Sequence, residues 1–244
     1  MNVTEQEFTS LFTKIFSMNG LSSLISKDTV GAFYKLTDRM LTENEKYNLT
    51  AITDIDKIIL NHYADCAMIA SKIKKGASII DVGCGAGFPT LPLAIVRPDV
   101  KITAVDSTAK RVNYVTETAE QLSLLNVTSV VARAEDLSRT ELRESFDYAT
   151  ARAVAELRVL TELCLPFVKK GGKMLAMKGK NAEFELSGAK RAISMLGGRG
   201  AVCEQIKLVG VGQEQTHPLI IIDKAEKTPA AYPRPYAQIS KKPL

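Results

Sequence analysis

Apolar positions follow a helical period through the first 76 residues and then change texture. Phe8, Leu11, Phe12, Ile15 and Phe16 fall at i, i+3, i+4, i+7 and i+8, the stripe an amphipathic helix turns toward a core. After Gly20 a second stripe runs through Val30, Phe33, Tyr34, Met40 and Leu41. A third helix is expected through Ile55, Ile58, Ile59 and Tyr63, with Thr53 and Asp56 as the signal that caps its free amides. Residues 1–76 therefore read as a helical N-terminal subdomain whose aromatic stripes are core.

From Ser78 onward, short β-rich runs alternate with helical patterns. SIIDVG, KITAVD, VTSVVA, FDYATA and KMLAMK are predicted as buried strands, with helices over 89–97, 108–124, 138–144, 156–166 and 181–196. Such alternation implies a parallel sheet covered by helices on both faces. VCEQIKLVG and HPLIIIDK lie close enough to pair with each other, which predicts an antiparallel C-terminal edge. The expected fold class is α/β, with a Rossmann-like, mostly parallel sheet over 77–223. Beyond it, TPAAYPRPYAQISKKPL has no period and is predicted as an extended surface tail within 224–244.

Composition narrows the class. A chain of 244 residues, 45% hydrophobic and 24% charged, is globular rather than disordered, and no apolar run is long enough to cross a bilayer. The opening MNVTEQEFTS is acidic and has no apolar stretch of the kind a secretory signal carries. Cys66, Cys84, Cys164 and Cys203 form no ligand pair, and His62 and His217 are too few and too separated for a zinc centre. These features predict a reduced, cytoplasmic, metal-free protein without membrane contact. Lys and Arg against Asp and Glu number 9 to 9 over 1–76, 18 to 17 over 77–223 and 5 to 1 over 224–244. Nearly all the net charge of +5 thus sits in the tail, which points to a polyanionic partner.

The candidate chemistry lies in DVGCGAGFPT, residues 81–90. A strand running through a glycine-rich turn into a helix sets bare backbone amides and a positive helix end at one spot. Gly83, Gly85 and Gly87 are spaced G-x-G-x-G, and Phe88 stands where a dinucleotide fingerprint has its third glycine. Asp106, which ends KITAVD, can accept hydrogen bonds from two ribose hydroxyls. That acid occurs with dinucleotides and with S-adenosylmethionine alike, so it does not choose between them. Cys84 reads as a small loop residue, with a reactive thiol lowered by the helix end as the lesser alternative.

With these residues in view, the chain resembles the class I S-adenosylmethionine-dependent methyltransferases, and more closely the RsmG (GidB) family of bacterial 16S rRNA methyltransferases. The resemblance rests on YNLTAI at 47–52, DVGCGAGFP at 81–89, VDSTAKR at 105–111, ARAEDL at 132–137, ATARAVAEL at 149–157, GGKMLAMKG at 171–179 and the terminal TPAAYPRPYAQISKKPL. Two positions depart from the family pattern: Cys84, where a small hydroxyl residue or alanine is usual, and Thr90, where glycine is usual.

The resemblance implies S-adenosylmethionine as methyl donor. As acceptor it implies N7 of a guanine in the decoding-region loop of 16S rRNA, in the small ribosomal subunit or an assembly intermediate. Carried over by position, Gly83 and Phe88 contact the donor within the glycine loop, Asp106 takes the ribose hydroxyls, Ala134 and Glu135 meet the adenine end, and Arg152 closes the site. Guanine N7 already presents a lone pair, so no catalytic acid or base is expected, and His62 is expected to be packed or capped on its helix. Candidates for phosphate contact are Lys110, Arg111, Lys178, Lys180 and Arg234, with Lys190, Arg191, Lys241 and Lys242 behind them. The competing classes are a nicotinamide-dependent oxidoreductase, a non-catalytic RNA-binding module and a small-molecule methyltransferase.

Overall fold

The computed structural model describes residues 3–244; Met1 and Asn2 of the opening stretch, and the Tyr47 side chain, lie outside the described residues. Seven strands form one sheet: β1 (Ser78–Val82), β2 (Lys101–Asp106), β3 (Val127–Val131), β4 (Phe146–Arg152), β5 (Val168–Met177), β6 (Gly198–Gly210) and β7 (Gln213–Lys224). Their order is β3-β2-β1-β4-β5-β7-β6. β1 to β5 run parallel, while β7 pairs antiparallel with both β5 and β6. The mostly parallel sheet with an antiparallel C-terminal edge is therefore observed. β3 is an edge strand with no fully buried position, so VTSVVA was expected too deep.

The N-terminal stripes form α1 (Glu5–Met18) and α2 (Lys27–Tyr47). Thr4 and Glu7 close a reciprocal cap on α1: the Glu7 amide donates to the Thr4 hydroxyl at 3.3 Å, and the Thr4 amide donates to the Glu7 carboxylate at 2.8 Å. The next helical stretch begins at α3 (Ile55–Ile58), passes through a π-helical stretch at Ile59–Ala64 and continues in α4 (Asp65–Met68). Its N-cap position is Asp54 rather than Thr53, and the Asp54 carboxylate is engaged by Lys57 at 2.7 Å instead of by the backbone. Phe8, Phe12, Phe16, Phe33 and Tyr63 belong to the same buried cluster as Ile79 of β1 and Ile102 of β2. The helices thus share a core with one face of the sheet.

Helices α5 (Thr90–Val96), α6 (Ala109–Gln121), α8 (Leu157–Cys164) and α9 (Ala182–Met195) lie within the stretches expected for them. The helix expected over 138–144 is displaced: α7 covers Ala134–Leu137, and a turn follows. The Thr140 hydroxyl donates to the Leu137 carbonyl at 2.7 Å and accepts from the Leu142 amide at 3.3 Å, a local alternative to helical bonding.

The C-terminal stretch is not an extended surface tail. It contains α10 (Tyr236–Lys241) and sinks Ile239 completely into the second core cluster, beside Leu160 and Leu163 of α8. Its irregular backbone carbonyls find a partner in Arg143, which donates to Thr228 O at 2.8 Å and Tyr232 O at 2.9 Å. Arg234 makes a fork on Glu162 of α8, with Nε at 2.9 Å from Oε1 and Nη2 at 2.6 Å from Oε2. Glu162 is fully buried, so this pair replaces its hydration.

Removing the guanidinium leaves a buried carboxylate almost unpaired. Arg234→Ala should lower unfolding free energy by about 2–4 kcal/mol, read from urea denaturation. A change within error would mean that the pair does not hold the C-terminal segment.

Candidate active site

The sheet reverses its order between β1 and β4, and open α/β sheets bind ligands in the crevice at such a point, beyond the carboxyl ends of the strands. Here the crevice is edged by the glycine loop after β1 and by Arg152 and Ala153 at the end of β4. Gly83 and Cys84 donate to Val105 O at 2.7 and 3.0 Å, and Gly85 donates to Asp106 Oδ2 at 3.1 Å. The end of β2 therefore fixes the loop.

Its three glycines all have positive φ, +74° at Gly83, +54° at Gly85 and +85° at Gly87, but for different reasons. A Cβ at Gly83 would stand 2.6 Å from Val154 Cγ2, and one at Gly87 would stand 2.5 Å from Leu91 Cδ1. A Cβ at Gly85 would meet nothing nearer than 3.9 Å and would project into open cleft.

Three clefts meet here. The first, about 330 Å³, is lined by Gly83, Gly85, Phe88, His62, Thr50 and Arg152 among others. A cleft of about 310 Å³ continues from it past Asp106, Ala134 and Glu135 to Tyr236 of the C-terminal segment. The two share Gly83, Thr108, Arg111 and Ala153, so they form one trough over the ends of β1 and β2. A further cleft of about 810 Å³ joins the first at His62, Arg152 and Ala153 and extends between the ends of β5 and β7. Ala153 lines all three and holds a left-handed φ of +57°, uncommon outside glycine and frequent at functional sites.

A chain of charged and aromatic groups walls the junction. His62 stacks on Phe88 with ring centroids 4.5 Å apart, and the Arg152 guanidinium lies 5.0 Å from the centre of the Phe88 ring. Arg152 donates to Asn61 O at 3.0 Å, lies 3.4 Å from Asp65 Oδ2 and contacts His62 Nδ1 at 3.2 Å. Asp65 Oδ1 in turn holds Nδ1 of His217 at 3.0 Å. Burial, aided by the Arg152 charge, lowers the His62 pKa to about 4, so the ring is neutral at neutral pH. Beneath the loop, fully buried Asp81 accepts from Thr90 Oγ1 at 2.6 Å and Thr150 Oγ1 at 3.2 Å, and burial pushes it up to about 6.

The structure brings most of the expected site residues to the trough. Gly83, Gly85, Phe88 and Arg152 line its first part, Asp106, Ala134 and Glu135 its second. Gly87 is a correction: it lines none of these clefts, and its missing Cβ makes room for Leu91. Cys84 is buried, and burial pushes its thiol up rather than down, which removes the reactive-thiol alternative.

Two cationic candidates are also corrected. Lys178 is spent on Glu185 at 2.7 Å and Ala155 O at 2.7 Å, and Arg234 on Glu162, so neither is free for phosphate. Lys110 and Lys180 are exposed on cleft walls, and Arg111, half exposed, leans on Asp106 at 3.6 Å. Sequence reasoning missed Asp65, His217, Ala153 and Tyr236. Ala153 and Tyr236 lie inside ATARAVAEL and the terminal TPAAYPRPYAQISKKPL, but nothing in those runs marks them as cleft walls, and Asp65 and His217 belong to no motif.

Comparison with known proteins fits this geometry. A family model described as GidB: rRNA small subunit methyltransferase G matches residues 30–215. Similar relatives include the ribosomal RNA small subunit methyltransferase G of Clostridium perfringens, 44% identical over 222 residues, covering 90% of this chain and 92% of the relative. Another bears the same name in Lactobacillus delbrueckii subsp. bulgaricus, 45% identical over 206 residues, covering 82% and 85%. Among solved structures, a SAM-dependent O-methyltransferase from Thermotoga maritima aligns with a TM-score of 0.53 at 19% identity, covering 79% of this chain and 72% of that one. M. jannaschii TYW2 in complex with AdoMet aligns with a TM-score of 0.52 at 17% identity, covering 66% and 74%. At these identities the structures speak for the fold, a class I methyltransferase sheet.

The wall at His62 has a pH signature. Its folded pKa lies below the ordinary 6.5, so the neutral ring contributes stability that is present above 6.5 and lost as pH falls toward about 4. Asp81 runs the other way: its contribution is present below 3.8 and lost as pH rises toward about 6. The stability advantage of wild type over His62→Gln should therefore be smaller by about 2 kcal/mol at about pH 4.5 than at about pH 7.5 in urea denaturation. An advantage independent of pH would show that the ring titrates normally.

Proposed function

Because the chain belongs to the GidB family, rRNA small subunit methyltransferase G, we propose that it transfers a methyl group from S-adenosylmethionine to N7 of a guanine in the decoding-region loop of 16S rRNA. The substrate is the small ribosomal subunit or an assembly intermediate of it, in the cytoplasm. The observation that carries the reading is the trough over the ends of β1 and β2, bare at Gly85 and acidic at Asp106 and Glu135. The curated relatives are methyltransferases, and none of the comparisons favours the nicotinamide alternative.

The residues present fit the donor. The open space at Gly85, which a Cβ would fill, suits its amino-acid end packed close against backbone. Asp106 is 6% exposed and spends its oxygens on the Gly85 and Thr108 amides, yet each oxygen keeps an acceptor position for a ribose hydroxyl. Ala134, Glu135 and Tyr236 surround the end suited to adenine. Bound there, S-adenosylmethionine supplies a methyl group made electrophilic by its sulfonium.

The chain's own work is alignment and charge. Arg152 is held by Asn61 O and Asp65 and braces Phe88 and His62, so the junction wall is rigid before substrate arrives. A neutral His62 adds no positive charge beside a cationic donor. Guanine N7 attacks with a lone pair it already exposes, so no side chain is needed as a base. Lys110, Arg111 and Lys180 at the cleft rims are the cations available to phosphates.

Small subunits lacking the modification, incubated with the protein and labelled donor, should yield 7-methylguanosine on mass spectrometry of digested rRNA. Label on another base, or only on a small molecule, would overturn the assignment. Asp106→Ala should weaken donor binding by about 1–3 kcal/mol in calorimetric titration, through lost charge-assisted hydrogen bonds. Unchanged affinity would remove Asp106 from the donor site.

A further inference from the structure

The largest of the three clefts lies beyond the trough assigned above to the donor. It opens from the donor trough at His62, Arg152 and Ala153, the point where a transferred methyl group would leave. Ile52, Met177 and Leu219 give it an apolar wall, while Asp65, His217, Gln215, Glu214 and Lys180 give it polar sides. An apolar wall to pack the ring, with polar groups beside it to meet the ring's edge, suits a flat base swung out of its stack, the usual way enzymes reach an atom of a nucleobase.

We propose that this cleft holds the acceptor guanine and that Nε2 of His217 selects it by accepting a hydrogen bond from its Watson–Crick edge. The proposal rests on the reaction assigned above and adds the residue that chooses the base.

Asp65 is 4% exposed, and its carboxylate holds His217 Nδ1 at 3.0 Å, which places the proton of a neutral imidazole on Nδ1. Nε2 is then an acceptor, and among the described residues no hydrogen-bond partner satisfies it. The ring remains about a third exposed on the cleft wall.

At that edge guanine offers donors at N1–H and the 2-amino group, whereas adenine has a lone pair at N1, no polar group at C2, and its one donor, the 6-amino group, where guanine has the O6 acceptor. An acceptor at His217 that faces N1 and the 2-position therefore accepts guanine and opposes adenine, although both bases carry a nucleophilic N7. Holding the Watson–Crick edge at His217 leaves N7, on the far side of the base, to face the junction at His62 and Arg152.

The test uses the full chain with small subunits lacking the modification. His217→Leu removes the acceptor, and His217→Gln keeps one on its side-chain amide oxygen. KM for subunits should rise at least about tenfold in His217→Leu and less in His217→Gln, with the donor Kd by calorimetry unchanged in both.

A second measurement does not depend on the folded fraction. The ratio of kcat/KM for subunits bearing guanine against adenine at the target should fall at least about tenfold in His217→Leu. An unchanged KM in a His217→Leu protein that binds donor normally, or an unchanged ratio, would overturn the role of His217. Absence of 7-methylguanosine from the wild-type reaction is a different result, which overturns the reaction itself and this proposal with it.

Discussion

Asp81 sits fully buried in the middle of the sheet, where β1 lies between β2 and β4, and its carboxylate binds two hydroxyls. Thr90 opens α5, and Thr150 belongs to β4. One acid thus pins both ends of the glycine loop and the strand across the reversal point, and the chain between Val82 and Thr90 must travel out and back within seven residues. Positive φ at three of those seven is the result. Leaving such an acid without partners would cost several kcal/mol or force it to stay protonated. The Thr90 hydroxyl supplies the shorter of the two hydrogen bonds on Asp81.

Most of the fold was legible in periodicity. The strands lie close to the apolar runs that announced them, and four of the five crossover and edge helices lie within a few residues of their expected bounds. The misses have local causes. α7 moved because Thr140 offers backbone partners that compete with a helix, and β3 is less buried because an edge strand needs only one covered face. The C-terminal segment hid its order because its anchors lie elsewhere, in Glu162 and Arg143, and no periodicity records a partner seventy or more residues away.

The candidate site was legible where it is local and illegible where it is assembled. Gly83, Gly85, Phe88 and Asp106 belong to two strand-end motifs and could be read directly. Phe88 illustrates the gain from structure: spacing showed only that it fills a glycine's place, whereas the fold shows it as the floor on which His62 and Arg152 rest. Lys178 and Arg234 show the opposite error. A cation in a strand-end loop or a basic tail looks free in sequence, but both are consumed by carboxylates from neighbouring helices. Asp65 and His217 come from the N-terminal helical stretch and from β7, and only the shared core of helices and sheet sets them 3.0 Å apart.

His62 and Arg152 are walls common to the trough and to the large cleft, and neither can shift without changing both. An occupant of one space that shifts this wall is therefore felt in the other. Whatever factor one imposes on the affinity of the other by moving that shared wall is returned in full in the opposite direction. The hold of Asn61 O and Asp65 on Arg152 thus sets how far the two spaces can communicate.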